Sequence, residues 1–101
     1  DSNETIKFYV AKNLTDNSYI YKDKSKIILN EEFFNQPHEV IFRSLTEIIK
    51  FVGSKFYPVR GKKVDTIIDK LKEETRISIK LTLGNCIIYK VNQSIIVLKE
   101  Q

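Results

Sequence analysis

Residues 76–99 read RISIKLTLGNCIIYKVNQSIIVLK, and this stretch decides the fold. From Arg76 to Leu83 polar and apolar residues alternate strictly, with Ile77, Ile79, Leu81 and Leu83 set against Arg76, Ser78, Lys80 and Thr82. A period of two puts successive side chains on opposite faces, so the pattern predicts a half-buried strand. Gly84-Asn85 then pairs two residues that tolerate positive φ, as a tight hairpin turn requires. Cys86–Val91 reads as the next strand, Asn92-Gln93 as a second turn, and Ser94–Lys99 as the last strand. The chain is therefore expected to end in a three-stranded antiparallel meander.

Two helices are predicted upstream of it. The first runs from about Pro37 to Val52: Pro suits a first turn, Glu39 complements the dipole, and Gly53 suits a helix end. Ile41, Leu45, Ile48 and Val52 make its buried stripe, while Glu39, Arg43 and Glu47 fall four apart on another face, where they can form weak ion pairs. The second runs from about Lys62 to Lys72, with Val64, Ile67, Ile68 and Leu71 at i, i+3, i+4 and i+7. The link over residues 53–61 is too long for the turn of a helix-turn-helix DNA reader.

Before the helices, Ile6–Ala11 is β-rich and reads as a strand, and Asn13 to Ser18 as a turn cluster. Tyr19-Ile20-Tyr21 and Ile27-Ile28-Leu29 read as short strands about a turn at Asp23-Lys24-Ser25. Asn30 can cap a single helical turn at Glu31-Glu32-Phe33-Phe34. The fold class is thus α+β: a small N-terminal β element (about 1–36), two amphipathic helices (37–73) and the meander (75–100), in one domain over residues 1–101.

Composition agrees with one soluble, globular domain. The 101 residues are 42% hydrophobic and 30% charged, and the longest apolar runs fall far short of a membrane span. The opening Asp1-Ser2-Asn3-Glu4 is unlike a signal peptide, and the missing initial Met suggests a piece of a longer chain. A single cysteine permits no internal disulfide and fits a reducing, cytoplasmic setting.

Charge is one-sided. Residues 1–47 hold 6 basic and 8 acidic residues, while 48–101 hold 11 basic and 5 acidic. The stretch 48–64, with Lys50, Lys55, Arg60, Lys62 and Lys63, lacks acids, as does 75–99, with Arg76, Lys80, Lys90 and Lys99. Such a bias points to a polyanionic partner, against the plain alternative of lysines that only keep a surface solvated.

Catalytic machinery is missing. Gly53, Gly61 and Gly84 are isolated from one another, so no Gly-rich phosphate loop can be drawn. One His and one Cys do not make a zinc site. His38 is expected at the surface, and Cys86 as a small buried hydrophobe. One local rule is broken: the second helix opens with Arg60-Gly61-Lys62-Lys63, placing three cations at the positive end of its dipole. Rule-breaking of this kind concentrates at functional sites, and a bound phosphate would reverse the sign of the cost.

Several motifs carry a resemblance. Phe42-Arg43-Ser44-Leu45, Phe51-Val52-Gly53, Tyr57-Pro58-Val59-Arg60, Thr82-Leu83-Gly84-Asn85-Cys86 and Lys99-Glu100, in this order and spacing, resemble the C-terminal part of bacterial tRNA(Ile)-lysidine synthetase over about residues 37–100. The chain departs from that pattern where Gly53-Ser54 stands for Gly-Gly, Val59 for a Pro, Asn85 for a Gly and Lys99 for an Arg. Asn tolerates positive φ, so the hairpin survives; Lys keeps the charge but loses bidentate geometry. The resemblance implies an enzyme that uses ATP and Mg to activate the wobble cytidine of tRNA(Ile) for attack by lysine. Its ATP loop lies in an N-terminal catalytic domain absent from this chain, which would leave this piece without catalytic residues, cofactor or metal. What remains would hold and orient the tRNA. The expected phosphate contacts are Arg60, Lys62, Lys63, Arg43, Lys55, Arg76 and Lys80, with Gly53, Gly84 and Asn85 as turn or cap residues. The competing reading is a protein-interaction or dimerisation module, suggested by Phe33, Phe34, Phe56, Tyr57, Tyr19 and Tyr21 near turns.

Overall fold

The computed structural model describes residues 2–23, 25–53, 60–73 and 78–100. The two expected helices form at His38–Gly53 (α2) and Gly61–Lys72 (α3). The Pro37 carbonyl accepts the amides of Val40 and Ile41, so the proline sits at the mouth of α2 as its fixed φ allows. Ile41, Leu45, Ile48 and Val52 of α2 and Val64, Ile67, Ile68 and Leu71 of α3 are all buried in one core. Asn30 accepts from the Phe33 amide at 3.1 Å and caps the 3-10 turn Glu31–Phe34, which drives Phe33 into that core.

The meander is present as β3 (Ser78–Leu83), β4 (Cys86–Val91) and β5 (Ser94–Lys99). Gly84 at φ 58° and Asn85 at φ 67° make the left-handed pair that the two-residue hairpin needs. The N-terminal hairpin, β1 (Ser18–Ile20) with β2 (Lys26–Leu29), does not stand apart. β2 pairs antiparallel with β5, giving a five-stranded sheet in the order β1-β2-β5-β4-β3. One face is dry: Ile27, Leu29, Cys86, Ile88, Ile95 and Val97 lie in the core shared with α2 and α3. On the other face the register lines up Tyr19, Ile28, Ile96, Tyr89 and Lys80 in a row across all five strands. None of these five belongs to the core.

The strand expected at Ile6–Ala11 is instead the middle of a helix, α1 (Ser2–Asn17), and the expected turn at Asn13–Ser18 is its last turn plus the first residue of β1. The inward stripe of α1 is Ile6, Val10, Asn13, Leu14 and Asn17, two of the five polar. Asn13 is 2% exposed; its amide donates to the Phe33 carbonyl at 3.3 Å and the Ser44 hydroxyl at 3.2 Å, and its oxygen accepts from Asn17 at 2.8 Å. Docking on α2 outweighs the few tenths of a kcal/mol per residue by which Ile, Phe, Tyr and Val disfavour a helix. The lead-in is therefore a helix followed by a hairpin. Among the described residues, no helix is long and apolar enough to cross a membrane.

Candidate nucleic-acid interface

The helix that breaks the local rule lines an open groove. Arg60 occupies the cap position of α3 with no side-chain cap bond, and the first turn carries no acid. Advancing 100° per residue, Lys62, Thr66, Lys70 and Lys63 fall together on one flank of α3, beside its buried stripe. They form one wall of a groove of about 510 Å³ whose other wall is Leu81, Thr82, Leu83 and Gly84, with Glu100 also contributing to the lining. Neither acid of α3 lines the groove: Asp65 meets His38 across a 2.8 Å contact to α2, and Asp69 follows Lys62 by two turns at the edge of the lysine row. Three ammonium groups against the one lining carboxylate of Glu100 give the groove a net positive field in a concave site, which attracts anions.

The hairpin side of the groove is built by a close approach. A methyl group on Gly53 would overlap the Gly84 carbonyl oxygen and come within 3.3 Å of Asn85 Cβ. The end of α2 therefore rests directly on the β3–β4 turn; Gly53 is the last residue of the helix, without the positive φ of a glycine cap, and its lack of a side chain serves this contact. Cys86, fully buried, donates from Sγ to the Ile49 carbonyl at 3.3 Å, and desolvation pushes its thiol up to about 11. It is a packing residue here, as expected, since reactivity would require a lowered value and exposure. The Glu100 amide donates to the Asn85 carbonyl, fixing the last described residue beside the same turn.

The expected cations do not all converge. Lys62 and Lys63 share the groove, Lys70 joins them, and Arg60 is exposed at the mouth of α3. Arg43 does not: it bonds Glu39 at 2.8 Å, as its spacing implied, and lines a separate apolar groove with Lys7, Val10, Leu14 and Phe42. Lys80 points to the open sheet face, where its ammonium lies 5.8 Å from the Tyr89 ring. Lys55 and Arg76, with the Tyr57-Pro58-Val59 link, Phe56 and Ile77, lie outside the described residues. Lys90 is turned inward, where Nζ donates to the Leu71 carbonyl at 2.6 Å and the Glu73 carbonyl at 3.0 Å, closing the C-terminus of α3. Part of the acid-free charge is thus structural. Lys70 was not singled out from sequence, although its i+4 relation to Thr66 and i+8 relation to Lys62 could have found it. Among the described residues, no three His, Cys, Asp or Glu side chains are placed to hold a metal.

No family model matches the chain, and no curated protein or solved structure does either.

Proposed function

We propose that this domain binds structured RNA by gripping phosphates in the groove between α3 and the β3–β4 hairpin. The observation that carries the reading is the lysine wall, with Lys62 and Lys63 at a helix start without acids and Lys70 continuing it in the last turn. Backbone dipole and side chains act together there on an incoming phosphate. The resemblance supplies the partner: a tRNA, held for a lysidine synthetase whose ATP chemistry resides in another domain. Support for it comes from the way its separate motifs meet. Gly53, the Gly84-Asn85-Cys86 turn and Glu100 come together beside the groove although they are far apart in sequence.

The test is the double variant Lys62→Glu, Lys63→Glu. Acids in the first turn favour the helix dipole, so folding should hold or improve by a few tenths to about 1 kcal/mol. Filter binding to tRNA should fall at least tenfold, because two attractive charges become repulsive. Parent binding should also weaken as salt rises, since phosphate contacts release counterions. Unchanged tRNA binding in the variant would remove the groove from consideration.

A second reading, a protein-interaction module, is favoured by one observation. Phe8 and Tyr9 are 62% and 47% exposed on α1 and pack edge to face on each other, outside the apolar groove lined by Val10, Leu14 and Phe42. Association that persists at high salt and is lost in Phe8→Ser, Tyr9→Ser would favour it.

A further inference from the structure

Among the described residues the helices pack on one face of the sheet, and its other face is chemically biased. Tyr19, 67% exposed, stacks edge-on with Tyr21 at one end of the open face, and Tyr89 lies three strands away. Each end holds a lysine beside a tyrosine ring, Lys26 at 4.3 Å from Tyr21 and Lys80 at 5.8 Å from Tyr89. Between them the floor is aliphatic, made by Ile28 and Ile96. The strand positions that share this face carry no Asp or Glu among the described residues. Aromatic rings, an apolar floor and cations without acids match an anionic chain that offers flat apolar groups at intervals.

We propose that the open face of the sheet binds a single-stranded segment of RNA, with bases stacking on Tyr19 and Tyr89 and phosphates meeting Lys26 and Lys80. This deepens the RNA-binding reading and rests on it for the class of partner. Strand spacing puts Tyr19 and Tyr89 about 14 Å apart, enough for a short run of unpaired nucleotides. Sheets that bind RNA this way stack about two or three bases. Size argues against a globular partner, because the face offers on the order of 400 Å², about half of what one side of a stable protein interface needs. Charge argues against a second copy, which would bring the same lysines against each other. The groove and the face then divide the work. A duplex offers only phosphates to the groove, while unpaired nucleotides also offer bases to the face.

The test uses fluorescence anisotropy with two probes, a single-stranded uridine decamer and an RNA duplex of equal length. The variants are Tyr19→Leu, Tyr89→Leu, which keeps apolar bulk and removes the rings, and Tyr19→Phe, Tyr89→Phe, which keeps both. The Leu pair should lose at least about tenfold in decamer affinity while duplex affinity stays within twofold, and the Phe pair should bind both like the parent. Far-ultraviolet circular dichroism and a thermal melt establish that the Leu pair is folded. Lys62→Glu, Lys63→Glu provides the other arm. If it abolishes duplex binding while the Leu pair leaves the decamer untouched, the groove stands and the open-face proposal falls. If neither probe binds the parent protein, both fall. A parent dimer in sedimentation that the Leu pair breaks would assign the face to a second copy, and retention of an acidic amphipathic peptide in preference to the decamer would assign it to a protein segment; either result overturns the proposal.

Discussion

Replacing Gly53 with Ala asks whether α2 truly rests on the hairpin. In an ordinary helix interior this change stabilises by about 0.5–1 kcal/mol, because it removes the entropic cost of glycine. Here the added methyl overlaps the Gly84 carbonyl oxygen and sits 3.2 Å from the Gly84 carbonyl carbon. Neither is a flexible side-chain end that could swing away. The hairpin must withdraw by on the order of 1 Å to restore normal contact distances. It is held against withdrawal by the Cys86 bond to Ile49 and by six β4–β5 pairs that tie it to the rest of the sheet. Overpacking against such backbone costs typically about 1–3 kcal/mol, more than the propensity gain. A net loss near 1 kcal/mol would lower the melting temperature by roughly 4–8 °C in a domain of this size. The control is Gly61→Ala, whose methyl would meet, among the described residues, only the Phe42 ring, at 3.4 Å from Cζ, an ordinary contact. That variant should melt within a few degrees of the parent. Thermal melts and urea titrations on the two variants decide the matter; Gly53→Ala melting at or above the parent would refute the close approach.

Asn13→Ala should destabilise by about 1–3 kcal/mol, since it leaves the buried Phe33 carbonyl and Ser44 hydroxyl without the amide they share; a urea midpoint equal to the parent's would mean the network is dispensable. Cys86 gives a pH signature. Its thiol is raised from 9.0 to about 11 in the folded protein, so below pH 9 both states keep the proton. From about 9 to 11 the unfolded chain releases it and the folded one does not, and this part of the stability is lost as pH rises. The stability difference between parent and Cys86→Ala should shrink across that window, and a constant difference would contradict the assignment. Calorimetry with ATP and Mg²⁺ should show no binding in the micromolar range, because the glycines that a phosphate loop needs are isolated.

What could be read from the sequence was local. Alternation in 76–83 and the Gly84-Asn85 pair fixed the meander to its residues, because both are properties of neighbours along the chain. The stripes of α2 and α3 were legible for the same reason, being purely aliphatic. α1 was not, since Asn13 and Asn17 occupy inward positions where a pattern reader expects Leu or Val, and their partners lie in another helix and the 3-10 turn. The pairing of β2 with β5 left no mark either, because Ile27 and Ile28 alternate no differently beside β5 than they would in a lone hairpin. In the candidate site, the cations at the start of α3 were legible as a broken rule. The inward turn of Lys90 and the outward turn of Lys80 were not: composition counts charges, and the strand register assigns their faces.

The place of β5 also bears on how the domain comes into being. It lies in the middle of the sheet, between β2 and β4, yet of the five described strands it is the last to leave the ribosome. Until it arrives, the N-terminal hairpin has no neighbour on its β2 side, and β3 with β4 forms an isolated ribbon, marginal by itself in water. All five strands must therefore be synthesised before the sheet can close, and closure then joins residues far apart in sequence, Lys26 opposite Leu98. Such non-local pairing is slow and leaves two bare strand edges exposed meanwhile. Quality control inside a cell would see this protein as all or nothing: a chain cut short before Ile95 is not a smaller domain but two unmatched half-sheets, open to chaperones, proteases and one another.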